Sequence, residues 1–191
     1  MLALTTERLR VRPFRLEEAG AMARNRSNED VARWVSWSAP FPVEEARARI
    51  ETAGARTALG PNLWVLRAVE RIEDGSLVGE VGVKGHPDDV EQAIIGYALA
   101  REAHGMGYGT EVVRAVVGDL FTAHGLHRLT AYVHEDNRAS QRVLEKIGFR
   151  REALLVEGFK AKGAWVNEFL YAMLAREWAQ ASRPRAERET A

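Results

Sequence analysis

The chain has 191 residues, 27 Lys plus Arg against 27 Asp plus Glu, a formal net charge of zero and no cysteine. These counts exclude disulfides, thiolate metal sites and a cysteine nucleophile, and they give no long-range field for a polyanionic or polycationic partner. No apolar run approaches the roughly 18 residues that span a bilayer, and Met1 to Arg8 lacks the regions of a secretory signal, so a cytoplasmic protein with no nucleic-acid or membrane partner is expected.

Leu9, Val11 and Phe14 alternate with arginines up to Pro13 and predict an edge or first strand. Helix formers predict two short helices, Glu17 to Arg26 and Val43 to Ala53, joined by an aromatic, proline-punctuated loop from Trp34 to Pro42. Leu63 to Val69 and Leu77 to Val83 flank the turn Glu73-Asp74-Gly75 as a hairpin, and Ala93 to Leu99 adds a strand. From Glu111, the positions Val112, Val113, Val116, Val117, Leu120 and Phe121 line one helix face that stops at Gly125. Leu129, Ala131 and Val133 alternate as a half-buried strand, and Asn137 opens a helix that Gly148 ends. Arg151 to Phe159 and Trp165 to Leu174 predict a hairpin across Lys160 to Gly163, and the charged stretch Ser182 to Ala191 reads as a frayed tail. The order describes a mixed α/β sheet with helices on its faces.

His104-Gly105-Met106-Gly107-Tyr108-Gly109-Thr110 lies between a strand and a helix. A helix start exposes four N–H groups and the positive end of its dipole, and glycines let a bulky anion approach the main chain. The loop is therefore a phosphate cradle or, on the plainer reading, a tight turn chosen for its backbone angles. It lacks the Gly-Lys-Ser/Thr ending of a P-loop and the Gly-x-Gly-x-x-Gly spacing of a dinucleotide fold.

In order and spacing, Gly96-Tyr97-Ala98-Leu99, Gly105 to Glu111, Asn137-Arg138-Ala139-Ser140 and Val143 to Phe149 resemble the RimJ/RimL-like branch of the GNAT acetyltransferase superfamily. Trp37-x-x-Pro40 with Glu44-Glu45-Ala46, and Gly163-x-Trp165, extend the resemblance over nearly the whole chain. It implies a mostly antiparallel central sheet with flanking helices and a splayed pair of middle strands. It also implies a single acetyltransferase domain over residues 1–181 and a disordered tail over 182–191.

The resemblance further implies that acetyl-CoA is the co-substrate, with no metal. Leu99 would offer main-chain hydrogen bonds to pantetheine or the thioester, and Gly105, Met106, Gly107, Tyr108, Gly109 and Thr110 would surround the phosphates. His104 stands where the branch usually has Arg or Gln; it is either a phosphate contact or an exposed histidine of no consequence. Asn137 is both a helix cap and a cofactor contact, while Ser140 is either an ordinary first-turn serine or, as the branch implies, a donor to the coenzyme sulfur.

The branch places its base at the position of Phe159, so Glu157, two residues earlier on the same strand face, is the candidate; Glu80, Glu91 and Glu168 are rivals. A solvated outer-face role and a water chain in place of a base are the alternatives. Trp34 and Trp37 are candidate acceptor-binding residues as well as packing anchors.

The resulting expectation is acetyl transfer to a primary amine, on a protein N-terminus or a small molecule, by direct attack in a ternary complex. The rivals are another acyl donor such as succinyl-CoA, or an acyl-CoA-binding module without turnover. A homodimer is expected from the branch alone.

Overall fold

The computed structural model describes residues 3–181, so the Ser182 to Ala191 tail lies outside the described residues. Among the described residues eight strands form one sheet: β1 (Leu4–Thr5), β2 (Leu9–Arg12), β3 (Trp64–Arg71), β4 (Leu77–Gly85), β5 (Gln92–Leu99), β6 (Arg128–His134), β7 (Arg150–Ala161) and β8 (Ala164–Leu174). Their order is β1-β2-β3-β4-β5-β6-β8-β7, and every neighbouring pair is antiparallel except β5 with β6. This is the mixed, mostly antiparallel sheet expected from the sequence.

Among the described residues the α-helices are α1 (Ala19–Ser27), α2 (Glu29–Ala32), α3 (Val43–Arg49), α4 (Tyr108–Thr122), α5 (Arg138–Ile147) and α6 (Ala175–Ala181). One face of the sheet buries Val81, Val83, Ile95, Leu129, Ala131, Tyr171 and Met173 against the apolar stripes of α4 and α5. The other, over β2 to β4, carries a smaller core in which Phe14, Leu66 and Ala68 meet Met22, Phe41, Ala46 and Ile50. On that second face Gly82 and Gly96 give space to the Trp64 indole, since a Cβ at Gly82 would stand 2.9 Å from its ring.

Several elements differ from expectation. The strand Leu9–Arg12 is second, not first, because β1 is only two residues long and leaves no periodic trace. Glu17 and Glu18 belong to a 3₁₀ turn ahead of α1, and α3 widens into a π turn from Ile50 to Gly54. Helix α4 begins at Tyr108, three residues before the periodic stretch, since Tyr108 is buried and anchors the first turn, and it ends at Thr122 ahead of Gly125. The short helices α2 and α6 have no counterpart among the elements expected from the sequence; α6 packs Trp178 against Phe121, with ring centroids 6.4 Å apart.

Candidate active site

Strands β5 and β6 pair only from Gln92 to Ile94 and from Arg128 to Thr130. Beyond that, β5 stays bonded to β4 as far as Leu99, and β6 stays bonded to β8 as far as His134. The two halves of the sheet therefore part in a wedge that opens toward the carboxyl ends of β5 and β6. The chain leaves each strand into a helix, so the amino termini of α4 and α5 both stand at the mouth of the wedge. Two positive helix ends there favour an anion.

Gly105 and Gly107 carry the loop into α4 with φ of +79° and +81°, the left-handed region that other residues adopt at a cost. Glu111 is the first residue of α4 whose N–H finds an upstream acceptor, the Gly107 carbonyl at 3.1 Å. The preceding N–H groups, on Tyr108, Gly109 and Thr110, belong to the unpaired first turn of a helix. A Cβ at Gly109 would touch Val143 at 3.4 Å and Leu99 at 3.6 Å, so α4, α5 and the end of β5 converge there. This arrangement fits a diphosphate: several first-turn N–H donors and, at Gly105, open space where a Cβ would stand.

The loop is braced by residues that sequence spacing did not connect. Glu111 accepts from the Thr6 hydroxyl at 2.6 Å, the Arg8 N–H at 3.0 Å and the Arg8 Nε at 2.8 Å, while Arg8 Nη1 donates to the Met106 carbonyl at 3.0 Å. Burial works to raise the Glu111 carboxyl, but hydrogen bonds from Thr6 and Arg8 and the Arg8 charge hold it below its ordinary value. The acidic residue in the first turn of α4 was a legible signal; its partners, some hundred residues away in sequence, were not.

His104 is exposed, and its Nε2 lies 3.1 Å from the Leu99 carbonyl. The ring thus ties the loop to the end of β5. Across the wedge, the Asn137 side chain accepts the Ser140 N–H at 3.1 Å, and the Ser140 Oγ is 2.8 Å from the Tyr97 hydroxyl. Leu99, the glycine loop, Asn137 and Ser140 are thereby brought to one opening.

The other expected residues are more scattered. The chain around Glu157 does not alternate regularly: Leu155 pairs with Glu168 and Phe159 with Val166, so three residues on β7 face Asn167 alone. Within this bulge Glu157 has φ of +49° and its N–H donates to the Asn167 side chain at 2.8 Å. The expectation that Glu157 and Phe159 share a face by simple alternation is corrected by that bulge, and Glu157 is exposed.

Glu80 is buried in a two-point ion pair with Arg26, at 2.6 and 3.2 Å, so its lone pairs already face a cation. Glu91 precedes β5, about 26 Å along the strand from Leu99 at 3.3 Å per residue. Glu168 is half-buried on β8, opposite His134, and burial pushes its carboxyl up.

The two tryptophans part ways. Trp37 donates from Nε1 to the Arg26 carbonyl at 3.1 Å, and its ring lies 4.3 Å from the Arg26 guanidinium. Trp34 sets its ring edge against His134, with centroids 5.4 Å apart, on the same sheet face as Glu168. The tip of the β7–β8 hairpin reaches over to this region, where Lys162 Nζ donates to the Ala32 carbonyl at 2.5 Å. Among the described residues no cluster of His, Cys, Asp or Glu is arranged to hold a metal ion, and no helix is long and apolar enough to cross a membrane.

A mixed sheet split at its one parallel pair, with a glycine loop and two helix ends at the split, places the protein among the N-acetyltransferases. The acetyltransferase (GNAT) domain profile matches residues 8–150, and the chain belongs to the GNAT acetyltransferase family. The chain is 28% identical to the uncharacterized N-acetyltransferase p20 of Bacillus licheniformis over 94% of its length and 99% of that protein's. It is 30% identical to the uncharacterized N-acetyltransferase YoaA of Bacillus subtilis (strain 168), covering 90% and 96% of the two chains. Among solved structures, RimJ of Mycobacterium smegmatis in complex with CoA-disulfide superposes with a TM-score of 0.79 at 27% identity, covering 95% of this chain and 88% of that one.

Proposed function

We propose that this protein transfers the acetyl group of acetyl-CoA to a primary amine, on a protein N-terminus or a small molecule, by direct attack within a ternary complex. The observation that carries the reading is the glycine loop, whose left-handed turns lay the first-turn N–H groups of α4 at the mouth of the β5–β6 wedge. The coenzyme complex of the RimJ relative supports it.

The diphosphate rests on the amides from Gly105 to Thr110, pantetheine runs past Leu99 and Asn137, and Ser140 meets the sulfur. Bringing amine and thioester together supplies most of the acceleration, and the alkyl thiolate, with a conjugate-acid pKa of about 8.5, is already a fair leaving group. Residues 1–181 act as one domain in the cytoplasm, as a homodimer, with Trp34 beside the acceptor. Incubating the protein with acetyl-CoA and N-terminal peptides, polyamines, aminoglycosides and amino acids, with thiol release as readout, tests the reading. Turnover with at least one class is expected; tight CoA binding without release from any would point to a binding module.

An amine must shed a proton before or as it attacks, and two carboxylates compete for it. Glu157 is favoured by sequence position, but its exposure leaves it in water. Glu168 is favoured by desolvation, which makes it the stronger base. A base is active when deprotonated, so kcat/KM should rise with pH through a midpoint above the ordinary glutamate value. Glu168→Gln is expected to remove that limb and to lower kcat/KM by about 100-fold, the usual scale for general-base loss. Loss of the limb in Glu157→Gln instead would return the role to Glu157.

A further inference from the structure

We infer that Tyr97 positions the hydroxyl of Ser140, accepting none of its proton and turning that proton toward the coenzyme sulfur; the inference rests on the reading that Ser140 meets the thiol.

Tyr97 lies on β5 three residues beyond Ile94, the last residue bonded to β6, so its ring stands at the wall of the wedge. Ser140 is in the first turn of α5, on the opposite side. The Tyr97 hydroxyl spans the two, 2.8 Å from Ser140 Oγ and 3.3 Å from the Ser140 carbonyl. The main chain of Ser140 is fixed independently, through its N–H to the Asn137 side chain. Tyr97 itself packs against the large core, and burial pushes its phenol up to about 12, so it stays protonated throughout the neutral range.

A protonated phenol has one hydrogen to give. At 2.8 Å the serine oxygen is the nearer acceptor, and a serine oxygen that accepts from Tyr97 has its own hydrogen left for another partner. In the reaction the amine nitrogen bonds to the thioester carbonyl carbon, the carbon–sulfur bond breaks, and the sulfur departs with the electron pair as a thiolate. Ser140 keeps its proton and donates a hydrogen bond to that thiolate, while the amine's proton leaves to a carboxylate or water. The opposite polarity, Ser140 donating to Tyr97, would leave only a lone pair facing the sulfur and would favour thiol over thiolate. The two arrangements therefore shift the acidity of bound coenzyme in opposite directions.

The test is a titration of the CoA thiol bound to the full chain, read by ultraviolet thiolate absorbance, in wild type, Tyr97→Phe, Ser140→Ala and the double variant. The phenylalanine ring retains the packing of the tyrosine. A thiol pKa below the free value of about 8.5 is expected in wild type, raised by roughly one unit in Ser140→Ala and by about half that in Tyr97→Phe, as for loss of a charge-assisted and a neutral hydrogen bond. The double variant should match Ser140→Ala, because Tyr97 acts only through the serine. In steady state, Tyr97→Phe should lower kcat about fivefold with KM altered less than twofold, a loss confined to the transition state.

If Ser140→Ala shifts the thiol and Tyr97→Phe does not, or if the two effects add, the inference about Tyr97 is overturned while the role of Ser140 stands. If Ser140→Ala has no effect, or if CoA does not bind, the serine reading fails and the inference fails with it.

Discussion

Gly107→Trp is expected to weaken CoA binding by about 100-fold, a loss of about 2.7 kcal/mol, while the chain stays folded. Gly107 has φ of +81° and directly precedes α4. A residue with a Cβ pays about 1–2 kcal/mol to hold that left-handed conformation, so the turn would relax and swing the first-turn N–H groups off their common target. A Cβ there would also come within 3.4 Å of Arg8 Nη2, part of the brace on Glu111, and an indole would occupy the approach of the diphosphate. Calorimetric titration with CoA gives the affinity, and thermal unfolding separates binding from stability. Gly75→Ala is the control, since Gly75 has φ of +70° in the distant β3–β4 turn and should lose stability without losing affinity. Equal CoA affinity in wild type and Gly107→Trp would mean that the loop is a turn and nothing more.

Glu80→Ala should be the most destabilising single change, at about 3–5 kcal/mol, because it strands a buried guanidinium. Arg26 is 3% exposed, its Nη2 and Nε grip Glu80, and Trp37 and Phe41 lie 4.3 and 4.8 Å from its guanidinium carbon. Once the carboxylate is gone only the two ring faces oppose the charge, and they replace part of what the carboxylate supplies. The melting temperature should fall by roughly 10 °C for a chain of this size. Replacing both partners together, Arg26→Met with Glu80→Leu, should recover most of the loss, since apolar groups of similar volume need no desolvation. Because the pair sits beside Leu99 and Gly79, where α1 covers the end of β5, the double variant also asks whether those charges matter to the acceptor. Denaturant unfolding of wild type and the two variants decides the stability: Glu80→Ala as stable as wild type would contradict the buried ion pair.

The strongest periodicities are legible in the sequence. The stripe from Val112 to Phe121, the alternation of Leu129, Ala131 and Val133, and the Asn137 and Gly148 ends of α5 each come from local chemistry that the tertiary structure reinforces. Short elements were not legible, since two residues of β1 or four of α2 contain no period. The bulge at Glu157 was not legible either, because extra residues in a strand leave the composition unchanged while breaking the face relation that alternation assumes. At the site, the glycine loop and Asn137-Arg138-Ala139-Ser140 stood out through residue types whose backbone roles are specific. The Thr6–Arg8–Glu111 brace, the Tyr97–Ser140 contact and the Arg26–Glu80 pair depend on residues from 43 to 105 positions apart, which only the folded chain brings together.

The most direct measurement compares CoA, dephospho-CoA and pantetheine by calorimetric titration of the intact protein. If main-chain donors at the start of α4 hold the diphosphate, the two nucleotides that carry it should bind, and pantetheine, which shares the thiol arm but has no diphosphate, should bind at least about 100-fold more weakly, as for loss of several charge-assisted hydrogen bonds. Pantetheine binding as tightly as CoA, or no heat from any of the three, would contradict it.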